Sequence, residues 1–221
     1  MKTSSRKEIQ QPRFPKHLSI GSILTLKDDG EYSTLELSGC NLTELNVVRP
    51  LFETILFRKV ILGPSRHSKP RFVDCRFEIS DLSGIDWEKA RFRRVEFLGC
   101  RAIGAHLIDS EFEDISFKDC NFERAIFLSA KFKAVRFINC SLREVSFENS
   151  DLSDVIFEDC DLSQADLRLS KLIGADLRGS KLDGVQAGTQ ELKGAIVDSI
   201  QAIQIAGLLA RLYPFKDVQA V

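Results

Sequence analysis

Residues 120–140 read CNFERAIFLSAKFKAVRFINC, with phenylalanine at 122, 127, 132 and 137 and a cysteine at either end. A helix buries a face with a period near 3.6 and a strand with a period of 2, so an aromatic at every fifth residue fits neither. The stretch specifies a third geometry.

Counting by five from Phe72 to Leu182 gives 23 positions, of which twelve are Phe and nine are Leu, the others being Trp87 and Ala102. With 43% of the chain hydrophobic, an unbroken apolar set of that size arises by chance with a probability on the order of 10⁻⁸. The phase continues upstream through Leu37, Leu42, Val47, Phe52 and Phe57, so 14 of the 16 phenylalanines lie on it. Two residues before each large centre stands a small or β-branched one, such as Cys120, Ala125, Ala130 or Val135. The other three positions of each unit are mostly polar.

One large and one small inward residue in five describe a chain that bends through about a right angle at every unit. Four units close a square coil of twenty, and each coil buries its inner face only by stacking on its neighbours. The turns agree: of eight glycines between residues 36 and 185, seven fall two residues after a centre, where a turn needs positive φ. Folded on a twenty-residue pitch, Phe57, Phe77, Phe97, Phe117, Phe137 and Phe157 form one column. Phe52, Phe72, Phe92, Phe112 and Phe132 form the next. With coils about 4.8 Å apart, seven and a half of them make a rod about 36 Å long with a filled interior and no ligand cavity.

The units CNFER, CSLRE, SDLSD, CDLSQ, ADLRL and ADLRG resemble the A(D/N)LXX signature of the pentapeptide-repeat family. The resemblance covers about two thirds of the chain and implies an all-β solenoid, a right-handed quadrilateral β-helix. The middle units depart from the signature towards Phe at the centre and Cys, Val or Ile before it, which alters packing and leaves the phase intact.

The chemistry of catalysis is missing from this pattern. All six cysteines take the small inward position, and Cys100, Cys120, Cys140 and Cys160 share a column. A linear ladder cannot converge on a tetrahedral metal, and parallel Cα–Cβ vectors disfavour disulfides, so free thiols acting as small hydrophobes are expected. His17, His67 and His106 are scattered, without a nearby nucleophile. No enzyme, metal or cofactor is expected. The start of the chain has no apolar segment of signal-peptide type and no run long enough to cross a membrane, so a cytoplasmic setting is expected, and the sequons at Asn41 and Asn139 are read as accidents. The net charge of −1, from 31 basic and 32 acidic side chains, provides no global field for nucleic acid or anionic lipid.

The ends carry other signals. Residues 1–17 read as a flexible arm and 18–34 as a hairpin around Asp28-Asp29-Gly30, capping the first coil of a solenoid that spans 35–187. Residues 58–70 keep the count but put Ser65, His67 and Pro70 at inward positions, so a loop bulging from the rod is expected. Its basic side chains Arg58, Lys59, Arg66 and Lys69 are candidates for partner contact. Within 188–221, Asp198 is placed to cap an amphipathic helix. Its apolar residues Ile200, Ile203, Leu208, Leu209 and Leu212 either cover the last coil or pair two copies; the resemblance supports a homodimer, since family members that bind DNA gyrase dimerise through a C-terminal segment.

With the interior filled, function belongs to the outer faces. Residues 141–199 hold twelve acidic and six basic side chains, against seven and eleven in residues 1–70. Two expectations follow. The first is a protein-interaction or scaffold module, motivated by an outward apolar patch of Ile108, Ile126 and Leu128. The second is a DNA mimic that binds a type II topoisomerase, as the quinolone-resistance (Qnr) members of the resembled family do, presenting Asp151, Asp154, Glu158, Asp159, Asp161 and Asp166.

Overall fold

In the computed structural model the described residues are 8–21, 26–43 and 46–212. They form a parallel β-solenoid closed at its C-terminal end by one helix. Strands β1 (Ser19–Ile20), β2 (Glu31–Ser38), β4 (Leu51–Arg58), β6 (Arg71–Glu78), β7 (Arg91–Leu98), β8 (Glu111–Lys118), β9 (Lys131–Ile138) and β10 (Ile156–Glu158) make one sheet in that order. On another face β3 (Asn46–Val48) pairs with β5 (Arg66–Ser68). From β2 onward every pair is parallel with a register of twenty, so Phe72 lies on Phe92 and Phe97 on Phe117. Bridges such as Asp81↔Arg101 and Asn121↔Ser141 continue the same register on the faces without named strands.

Each eight-residue strand crosses a corner in its middle, as at Asp74, Arg94 and Asp114, all with φ near +55°. Glycine was expected at such corners, and the seven sequence-marked glycines do have positive φ there. Among the described residues, however, twenty-three non-glycine residues take the same left-handed conformation. Each costs about 1 kcal/mol, and they persist because pairing above and below fixes the corner. At the corresponding position in one coil stands Pro64, whose ring excludes positive φ, and the Gly63–Pro64 peptide is cis.

The columns stack as the count requires. Phe57–Phe77, Phe77–Phe97 and Phe117–Phe137 have ring centroids 4.4, 4.7 and 4.6 Å apart and nearly parallel planes. Rings of adjacent columns meet edge to face, as Phe112 does with Phe117 at 6.1 Å and 63°, the arrangement the ring quadrupoles favour. The small inward position has a role that periodicity did not reveal. Cys100, Cys120 and Cys140 direct their thiols at the carbonyls of Phe77, Phe97 and Phe117 (3.4–3.5 Å), and Ser80, Ser110 and Ser180 do the same with hydroxyls. Cysteine and serine thus interchange as small buried donors. All six cysteines are free thiols; burial pushes Cys75 up to about 12, and the Cys100 and Cys140 thiols on either side, together with burial, hold Cys120 well above the usual thiol range.

The expected interruption is corrected. Residues 58–70 form an intact coil, not a loop: Ile61 pairs with both Asn41 and Asp81, Arg66 pairs with Asp86, and Val60, Leu62, Ser65, His67 and Pro70 are buried. Because the count of fifteen is preserved, the main chain keeps its partners on both sides, which a bulge would forfeit. His67 fills a central position, its ring 5.7 Å from Trp87 and nearly parallel to it, while Trp87 Nε1 donates to Ser65 Oγ at 3.3 Å. No antiparallel pairing of the expected hairpin is found among the described residues. β1 runs parallel to β2, and β2 is already part of the solenoid, with Tyr32 stacked on Phe52 at 5.4 Å. Tyr32 stands on the five-residue phase, one unit before the first position counted. Residues 22–25 of the expected hairpin lie outside the described residues.

The helix α1 (Ser199–Leu212) begins as read. Asp198 Oδ1 accepts from the amides of Ile200 and Gln201, and the Asp198 amide donates to Gln201 Oε1, all at 2.9 Å, a reciprocal capping box. Gln201 is buried and its Nε2 donates to the Leu177 and Ser180 carbonyls at 2.6 Å, so the helix start closes the last coil.

His67 makes stability depend on pH. Both ring nitrogens are buried without a partner, and burial lowers its pKa to about 4. The unfolded chain, with a pKa near 6.5, takes up this proton first, so stability is present above pH ~6.5 and is lost as pH falls towards 4, by about 3 kcal/mol. His67→Phe is expected to remove that component, measured as the difference between the two proteins in urea midpoints across this range.

Candidate functional site

The outer surface is built from the same register, which decides where each candidate residue stands. The six acidic candidates belong to one coil and ring it. Asp151 and Asp154 flank Leu152, Glu158 and Asp159 follow Phe157 on the next face, Asp161 is on the third and Asp166 on the fourth. They do not form one acidic face. Three are engaged by cations: Asp151 by Lys171 at 3.8 Å, Asp161 by Arg143 and Lys181 at 3.7 Å, and Asp166 by both arms of Arg168. Arg168 holds the Asp166 carboxyl below its ordinary range. Burial opposes the same shift at Asp161, where Ser163 and the two cations overcome it.

The basic candidates are also dispersed. Arg58 bridges Glu36 (3.0 Å) and Glu78 (2.9 Å), and Arg66 pairs with Asp86 at 2.8 Å. Lys59 and Lys69 stand at two different corners. Lys69 instead joins Lys89, Arg71 and Arg91 along a shallow groove of about 650 Å³ that no sequence motif marked.

The apolar candidates do come together. Leu128 lies one coil after Ile108, with Ile126 two residues away on the same face, and all three are half-buried. Among the described residues the most exposed large apolar side chains lie elsewhere: Ile20 on β1, Ile79, Leu169 and Ile173 on the rod, and Ile200 and Ile203 on α1, at 70% and 74% exposure. The side chains of Leu208, Leu209 and Leu212 lie outside the described residues.

Another surface feature involves the N-terminal arm. Residues 1–7 lie outside the described residues, but 8–17, expected to be flexible, run lengthwise over the rod. The Arg13 amide donates to Asp74 Oδ1 at 3.0 Å and the Gln10 amide to Asp114 Oδ1 at 3.2 Å. The Arg76 guanidinium stacks over Phe14 at 5.4 Å. Asp74 is buried and pairs with Arg94 at 2.5 Å. Burial would raise its carboxyl, and the Arg94 side chain and the Arg13 amide instead hold it below the ordinary range. From Ile9 the same side of the rod continues as an open groove of about 1070 Å³, reaching Ile196. Sequence reading missed this because it depends on which corner the arm crosses, and the arm carries no repeat.

Among the described residues no group of His, Cys, Asp and Glu side chains could hold a metal ion, and no helix is long and apolar enough to cross a membrane.

A family model described as pentapeptide repeat region matches residues 70–137 and 110–187, together just over half of the chain. Among solved structures, HetL, a protein involved in heterocyst differentiation regulation in the cyanobacterium Nostoc sp. strain PCC 7120, is 17% identical with a TM-score of 0.35, over 78% of this chain and 91% of its own. QnrB1, a plasmid-mediated fluoroquinolone resistance protein, is 18% identical with a TM-score of 0.37, over 81% of this chain and 99% of its own. A pentapeptide repeat protein of the Arabidopsis thaliana thylakoid lumen is 19% identical with a TM-score of 0.35, over 48% of this chain and 77% of its own. No curated protein sequence matches the chain.

Asp74→Ala leaves the half-buried Arg94 guanidinium without its carboxylate partner and frees the Arg13 amide. It is expected to cost about 3 kcal/mol in chemical denaturation, and to speed tryptic cleavage after Arg13 in the folded protein.

Proposed function

Because the chain belongs to the pentapeptide repeat family, whose repeats here fill the interior completely, we propose that it is a non-enzymatic protein-interaction module that binds through its outer faces. The observation that carries this reading is the division of the rod. Stacked rings run along the inside from Tyr32 to Phe157, while the outside holds open grooves and exposed apolar side chains. Grooves open to solvent do not desolvate a substrate as an enclosed pocket would, and the rod offers a long rigid surface to a macromolecular partner. Free thiols along the core fit a reducing compartment such as the cytoplasm.

Two copies pair, in this reading, through the outward side of α1. Gln201 fixes the helix to the last coil, and Ile200 and Ile203 remain in solvent. An Ile200→Asp/Ile203→Asp variant is expected to sediment as a monomer where the unaltered protein sediments as a dimer, with the same far-ultraviolet β signal. A monomeric unaltered protein at high concentration would remove the dimer.

A second reading, modulation of a type II topoisomerase by DNA mimicry, is favoured by the acidic excess of residues 141–199 and opposed by the cations paired with Asp151, Asp161 and Asp166. One experiment separates the two. Immobilised protein is compared with a charge-reversed protein in which outer-face charges on each side are inverted, including Asp154→Lys and Glu158→Lys. The interaction reading expects a defined host protein retained by the first and lost by the second. Retention of a topoisomerase, with inhibition of its supercoiling activity, would select the second reading. If the unaltered protein retains nothing that the charge-reversed protein does not, both readings are rejected.

A further inference from the structure

The corner crossed by the N-terminal arm repeats its chemistry along the rod. Asp74, Asp114 and Asp154 occupy equivalent positions two coils apart, each with positive φ (52°, 58° and 61°). The first two accept main-chain amides of the arm, Asp74 from Arg13 at 3.0 Å and Asp114 from Gln10 at 3.2 Å. Two coils span about 9.6 Å and three extended residues about 10 Å, so the row is spaced to receive every third amide of an extended chain. Pro12 and Pro15 suit such a chain, since each biases the residue before it towards extended backbone and neither stands at a donor position.

One further step of this register leads from Gln10 to Lys7 and from Asp114 to Asp154. Asp154 is exposed, and among the described residues its carboxylate accepts no hydrogen bond and pairs with no cation. The other carboxylates lining the groove, Glu111, Glu113, Asp151 and Asp176, are each paired with a cation of the rod. Asp154 also has open space beside it. Its neighbours in the column are Ala134 and Gly174, and a Cβ at 174 would overlap its Oδ1. The groove itself begins at half-buried Ile9 and runs from the coil of Glu111 to Ile196, just over four coils or about 20 Å. Residues 1–7, MKTSSRK, reach about 23 Å when extended.

We propose that residues 1–7 of the chain itself occupy this groove, continuing the arm in the same register with the Lys7 amide on Asp154. The arm already lies on the rod up to the mouth of the groove, the spacing of donors and acceptors carries on across it, and the length of the segment matches its length. Arg6 and Lys7 bring positive charge to the carboxylate that the rod leaves without a cation, which favours this seat over a neutral surface. The inference goes beyond the interaction reading above and does not rest on it. It makes the arm a strap that closes this side of the rod, so that a partner meets the other faces or displaces the strap.

The test is amide hydrogen exchange in the full chain, followed residue by residue by NMR. The Lys7 amide is expected to exchange about tenfold more slowly than in a free peptide of residues 1–17, the protection given by one charge-assisted hydrogen bond. Asp154→Gly, which removes the acceptor and suits the positive φ of this corner, is expected to abolish that protection while Gln10 and Arg13 stay protected. Asp159→Gly, at a corner of another face, should leave all three amides unchanged. A Lys7 amide that exchanges at the peptide rate, or protection that survives Asp154→Gly, overturns the inference. Protection that falls on dilution also overturns it, since the segment in the groove would then belong to a second copy. Capture of a host protein through the outer faces is read separately, so the failure of the strap leaves the interaction module standing.

Discussion

The structure depends on parallel pairing between residues twenty apart. Main-chain bonds such as Leu107 N–H to the Ile126 carbonyl (2.8 Å) and the His106 amide to the Ile85 carbonyl (2.8 Å) tie each coil to the next and to the one before. A constant offset places every side chain on its own equivalent. Rings therefore stack on rings, as Phe92 on Phe112 at 4.9 Å, and small residues line up under small residues. The same constraint would set like charge on like charge, which is unfavourable between directly opposed residues. Several outward columns answer by alternating sign: Arg58 on Glu78, Arg76 on Glu96 and Arg124 on Glu144 pair at 2.7–2.9 Å, whereas Arg71 does lie on Arg91.

That alternation accounts for the near-zero net charge and for the dispersal of the acidic candidates. Carboxylates on this rod bond to a neighbouring coil, as Glu144 does to Arg124, or within their own, as Asp166 does to Arg168. Exposed pairs of this type contribute little to stability individually, yet they engage three of the six acidic candidates, Asp151, Asp161 and Asp166. Asp154 stands outside these ion pairs, with Ala134 on one side of it in the column and Gly174 on the other.

Register also explains the tolerance of the fold for unfavourable local choices. A branched or charged residue at positive φ, a proline at a corner and an imidazole in an aromatic column are each costly alone. They survive because displacing any one would break pairing on both sides at once. His67 is the clearest case: two unpartnered nitrogens are carried in the core between coils whose main chains pair on either side. Stability stored in the stack thus permits sequence features that local reading treats as interruptions.

What the sequence determined by itself was the coil: its pitch, its inward residues, its ring columns, its free thiols and the capped start of α1. Each follows from spacing along the chain, and spacing is preserved wherever no residue is inserted or lost. The fate of residues 58–70 was misread because residue type was weighed above count, although Val60 and Leu62 still marked the phase. Tyr32 could have been found by the same count. The tertiary structure alone decided which corner the arm crosses, which carboxylates it covers and which it leaves open, and which charges neutralise one another. Those outcomes depend on contacts between coils and an unrepeated segment, and a repeat carries no record of what lies against its outside.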